Sequence, residues 1–72
     1  MQYTIVYGAG TASELKKGIP LFHYPTRDAA EKDLAEYNRL CKKHGEPVTE
    51  ESEDYFSVYR NGFANTYKIK AL

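Results

Sequence analysis

The chain has 72 residues, of which 42% are hydrophobic, 28% charged and 14% aromatic. That balance describes a single small globular domain and excludes both full disorder and a multidomain enzyme. A chain this short buries only about 60% of its unfolded surface, so its large apolar residues are committed to one core, with little left for an enclosed active site. Ten basic side chains balance ten acidic ones. No global field therefore draws in nucleic acid or an anionic membrane, and electrostatic binding has to be local. The longest apolar runs, such as Ile5-Val6-Tyr7 and Leu21-Phe22, are far too short for a membrane span. The start, Met1-Gln2-Tyr3-Thr4, lacks the basic and apolar regions of a signal peptide, which reads as an intact cytoplasmic frame. One cysteine, Cys41, agrees with that compartment.

In chain order, Tyr3 to Tyr7 is a β-branched and aromatic run ending at Gly8-Ala9-Gly10, a strand followed by a turn. Thr11 to Gly18 is small and polar and predicts a loop, with one helical turn around Ser13 to Lys17. Ile19 to Tyr24 predicts a short second strand, at a sheet edge because Pro20 cannot donate to a ladder. A helix opens at Thr26 as N-cap, with Asp28 in its first turn, and closes with Lys42-Lys43-His44 before Gly45. Ala30, Leu34, Tyr37 and Cys41 give it an apolar stripe that Leu40 widens, and Arg27 with Glu31 and Asp28 with Lys32 are i,i+4 pairs on the solvated side. Glu46 to Asp54 holds five acidic side chains and no basic one, and predicts an exposed, mobile loop. Tyr55 to Arg60 and Thr66 to Leu72 are two further strands, joined as a hairpin around Asn61-Gly62-Phe63-Ala64-Asn65.

These elements predict an α+β domain spanning 1–72: a small antiparallel sheet of three to four strands with one helix packed on one face, in the order β-β-α-β-β. Alternation then sorts the strands into faces. Phe56, Val58, Tyr67, Ile69 and Ala71 point toward the helix; on strand one Ile5 and Val6 lie on opposite faces, so either Tyr3 and Tyr7 or Thr4 and Val6 join the open face, with Ile5 inward the favoured choice. Tyr55, Ser57, Tyr59, Thr66, Lys68 and Lys70 point away from it. The open face is thus rich in tyrosine and lysine.

Motifs for chemistry are weak. Gly8-Ala9-Gly10 has Ser13 where a dinucleotide fingerprint needs its third glycine, so it reads as a turn. Arg60-Asn61-Gly62-Phe63-Ala64 shares the basic-glycine-aromatic opening of the RNA-recognition-motif signature but departs from it at Asn65 and Thr66. Cys41, His44 and His23 fall short of the four ligands of a structural zinc site, and Cys41 belongs to the apolar stripe. No catalytic residue, metal or cofactor is expected.

The expectation is a non-enzymatic protein-binding module, an inhibitor or adaptor of the kind that small bacterial and phage reading frames encode, blocking a larger protein that handles nucleic acid. Two surfaces carry it. Tyr55, Tyr59, Lys68 and Lys70 offer tyrosine contact area with few rotatable bonds. Glu50, Glu51, Glu53 and Asp54 offer carboxylates that imitate phosphates in a partner's basic channel. The alternative is a single-stranded nucleic-acid-binding domain that stacks bases on the same tyrosines, with Lys68, Lys70 and Arg60 meeting phosphates. A homodimer through an exposed strand edge is a further option. No membrane partner is expected.

Overall fold

Thr26 opens the helix as its sequence requires. Its backbone is extended and its hydroxyl accepts from the Ala29 N–H at 3.2 Å, satisfying one of the donors that a helix start leaves unpaired. The helix, α1, runs Arg27–Lys43 in a computed structural model that describes residues 2–15 and 18–72. It ends in a paired closure: the Gly45 N–H donates to the Lys42 carbonyl and the Glu46 N–H to the Cys41 carbonyl, at 3.1 and 2.9 Å. Gly45 sits at φ +79°, the left-handed conformation such a closure demands.

Five strands accompany it: β1 (Tyr3–Ala9), β2 (Ile19–Tyr24), β3 (Val48–Glu51), β4 (Tyr55–Arg60) and β5 (Phe63–Ala71). They form one antiparallel sheet in the spatial order β2-β1-β5-β4-β3, so the fold is α+β with the chain order β-β-α-β-β-β. The expected helix and four strands are present, with β1 running two residues further, through Gly8 to Ala9, and the last strand starting three residues earlier, because Phe63, Ala64 and Asn65 pair with β4 instead of lying in the connection. The expected turn over Ser13 to Lys17 forms earlier: the Glu14 and Leu15 amides both donate to the Thr11 carbonyl. Lys16 and Lys17 lie outside the described residues.

The fifth strand corrects the reading of Glu46 to Asp54 as a mobile loop. Val48 lies opposite Val58, Glu50 opposite Ser57 and Glu51 opposite Phe56. Pairing there satisfies backbone groups along β4 that would otherwise be a free edge, and it half-buries Val48 against the core. Charge repulsion does not prevent it, because Lys42 pairs with Glu51 and Tyr55 donates to Glu50. Negative composition predicted solvation; partners supplied from α1 and β4 outweigh it.

The hairpin closes with two residues, Asn61 and Gly62, both at positive φ (+55° and +83°), between the opposed Arg60 and Phe63. This is the mirror-image turn whose twist suits paired strands. The helix face of the sheet holds the core: Ile5, Phe56, Val58 and Ile69 under Ala30, Leu34 and Cys41. Leu40, expected to widen the stripe, stays 36% exposed at its margin. The Arg27–Glu31 pair forms at 3.6 Å. The radius of gyration, 11.4 Å, is that of a close-packed chain of this length, about 11 Å.

Candidate functional site

The face turned away from α1 is built from alternate residues of every strand. On β4 it carries Tyr55, Ser57 and Tyr59, and on β5 Ala64, Thr66, Lys68 and Lys70. On β1 it carries Thr4 and Val6, which lie opposite Lys70 and Lys68. Tyr55 is the cross-strand neighbour of Lys68, so the two side chains share one patch. Tyr59, half exposed at 50%, stands at the hairpin end of the same face.

This face is not uniformly open. Thr4, Val6, Ser57 and Thr66 on it are all buried: Gly10 and Gly18, from the β1–β2 connection, lie over Thr66 and Val6, and the Thr4 hydroxyl donates to the Phe22 carbonyl of β2. The Thr66 hydroxyl donates to the Gly10 carbonyl at 2.7 Å, and the Gly10 N–H donates to the Ala64 carbonyl at 2.7 Å. With its proton given to Gly10, Thr66 Oγ1 accepts from the Ser57 hydroxyl at 2.8 Å. Further along, Gly18 lies directly on Val6, so close that an added Cβ would stand 2.5 Å from the Val6 Cβ. Between the returning connection and the sheet is a cleft of about 160 Å³ lined by Val6, Leu15, Gly18, Lys68 and Lys70. Two cations thus border an apolar slot beside Tyr55.

The four carboxylates named from the acidic segment do not form one surface. Glu50 joins the open face, where it accepts from the Tyr55 hydroxyl at 3.3 Å. Its negative charge, with lesser burial, holds the Tyr55 phenol above its ordinary range, so Tyr55 stays a donor. Glu51 turns to the opposite face, where Lys42 and the Asn38 carboxamide engage it and hold its carboxyl below the usual range. Asp54 accepts from the Ser52 hydroxyl at 2.8 Å inside the β3–β4 turn. Glu53 points to a separate cleft against α1.

Sequence reasoning missed a polar and aromatic cluster at the far end of the helix face. Tyr67 stacks on Phe56 (centroids 4.8 Å apart) and on Tyr37 (5.5 Å), with a tilted contact to Tyr7 (4.6 Å). Above these rings Arg60 pairs with Glu46 and donates to the Tyr7 hydroxyl at 2.9 Å. The Arg60 guanidinium holds the Glu46 carboxyl below its ordinary range. Its members come from β1, α1, β4, β5 and the segment after α1, separations that no local motif records. Cys41 lies beside it, free and buried, and burial followed by the Glu46 charge pushes its thiol up. That is the opposite of what a nucleophile needs. His23, opposite Thr4 on the open face, is across the sheet from Cys41.

No protein family, curated protein or solved structure matches the chain.

Proposed function

We propose that the chain is a non-enzymatic protein-binding module that works through the sheet face opposite α1, as an inhibitor or adaptor of a larger protein. The observation that carries the reading is the pairing of Tyr55 with Lys68, which together with Lys70 borders an apolar cleft, with Tyr59 exposed on the same face. Tyrosine with flanking cations over a small apolar slot is the composition of an interface core and its rim. The patch rests on a stiff base, since Ser57 and Thr66 beneath it are fully buried and bonded to each other.

Single-strand nucleic-acid binding remains the competing reading, favoured by the adjacent Lys68 and Lys70. Glu50 weighs against it: a carboxylate bonded to Tyr55 stands where a phosphate backbone would pass the ring. The acidic residues then serve the open face through Glu50 alone, and phosphate imitation by Glu50, Glu51, Glu53 and Asp54 together is the weaker form of the proposal.

Capture by the tagged protein from its native lysate, with and without nuclease and across a salt series, tests the choice. A stoichiometric protein partner retained after nuclease and only weakly sensitive to salt is the expected result. Recovery of nucleic acid alone, with steep loss as salt rises, would replace this reading by the stacking one.

A further inference from the structure

A larger cleft, about 330 Å³, lies on the other side of the sheet, between α1 and the β3–β4 turn. Its base is apolar: Leu34 and Phe56 line it and both are almost wholly buried. Its walls are polar and offer acceptors. Glu31 lines one side, tied only to Arg27 at 3.6 Å, and Glu53 lines the other with no ion pair or hydrogen bond among the described residues. Asn38, also in the wall, commits its Nδ2 to Glu51, and its Oδ1 is the one buried side-chain polar atom among the described residues without a hydrogen-bond partner.

These features select the chemistry of an occupant. Every unsatisfied group is an acceptor, so the missing piece is a donor-rich cation. A hard metal ion asks for several oxygen ligands, and no cluster of three or more His, Cys, Asp or Glu occurs among the described residues. An apolar base below two carboxylates suits instead an organic cation on an aliphatic stem. The volume, at the lower end of the about 300–1,000 Å³ of ligand pockets, suits one side chain. Arginine fits better than lysine, because its planar fork reaches more than one acceptor at once.

We propose that this cleft receives the side chain of an arginine presented by a protein partner, with Glu31 and Glu53 flanking the guanidinium and Leu34 and Phe56 taking its methylenes. The inference rests on the protein-binding reading for the source of the arginine, but it uses a different face of the molecule.

The test is a titration of ¹⁵N-labelled protein with N-acetyl-arginine amide, against N-acetyl-citrulline amide, which keeps the shape and loses the charge. The expected result is a set of amide shifts confined to Ala35, Asn38, Ser52 and Glu53, with binding weaker by at least about fivefold for citrulline, the scale of one charged contact. The double variant Glu31→Gln, Glu53→Gln should reduce arginine binding similarly. Equal binding of citrulline, shifts scattered over the surface, or undiminished binding in the variant would overturn the proposal. The comparison of the two probes on the unaltered protein stands even if the variant misfolds. Lysate capture reads the open face independently: a partner held there without an arginine response sinks this cleft alone, and an arginine response without any partner sinks the functional reading alone.

Discussion

Thr66 joins three parts of the chain through one hydroxyl. It gives its proton to Gly10 and takes one from Ser57, with Thr66 and Ser57 themselves fully buried. Thr66→Val keeps the shape and strands both neighbours, so it should cost about 1–3 kcal/mol in a urea unfolding series. Ser57→Ala, which leaves the bond to Gly10 in place, should cost less. An equal loss in the two variants would contradict this ordering. Gly18→Ala should also destabilise, by about 1–3 kcal/mol, because its new methyl meets Val6 in a filled space. Alternation along β4 and β5 was enough to place Tyr55, Ser57, Tyr59, Lys68 and Lys70 on one face. The burial of Thr4, Val6, Ser57 and Thr66 on that face was not legible, because it involves distant segments, with Gly10 over Thr66, Gly18 over Val6 and Phe22 beside Thr4, and polar composition reports only that the connection is a loop.

At the scale of elements, α1 is fastened to both margins of the sheet. On the β2 side the Tyr24 hydroxyl donates to Asp33 at 2.7 Å. On the β3 side Lys42 and Asn38 hold Glu51. Glu51→Ala should therefore raise hydrogen exchange at the amides of β3 while the centre of α1 keeps its protection; unchanged exchange at β3 would show that pairing with β4 alone holds the strand. Both margins are also irregular: β2 carries Pro20 and a register shift between Thr4 and Val6, and β3 has a shift between Val48 and Glu50. Such breaks blunt an edge against continued strand pairing. Pro20 was a visible edge signal in the sequence. The strand Val48–Glu51 was not, because its partners, Lys42 and Val58, are specified by topology and not by the acidic run itself.

For the molecule as a whole, the carboxyls of Glu46, Glu51, Glu36 and Glu14 are all held below their ordinary range, chiefly by hydrogen bonds from Arg60, Lys42, Arg39 and Thr11. A carboxyl whose folded pKa lies below its unfolded one stabilises the fold above the unfolded value, and that contribution disappears as pH falls through the folded value. The urea midpoint should hold steady down to about pH 5 and fall below the ordinary glutamate pKa of about 4.3. Tyr24, Tyr37 and Tyr67 are raised, burial being the first cause in each, so their contribution is lost as pH rises beyond the ordinary tyrosine range. A midpoint that climbs on acidification would contradict the ion-pair assignments.

The α+β class and the placing of the helix over an antiparallel sheet follow from caps, the Ala30-Leu34-Tyr37-Cys41 stripe and the Asn61-Gly62 turn, all local signals. The cluster of Arg60, Glu46, Tyr7 and Tyr67 and both clefts depend on contacts between distant segments, which a single sequence does not encode in any readable spacing. The proposed role stands on the open face, and the most direct test is lysate capture by the unaltered protein beside the Tyr55→Ala, Tyr59→Ala double variant, with circular dichroism establishing that the variant keeps its fold. The account predicts a nuclease-resistant protein partner retained by the first and lost by the second. The same partner retained equally by both would contradict it.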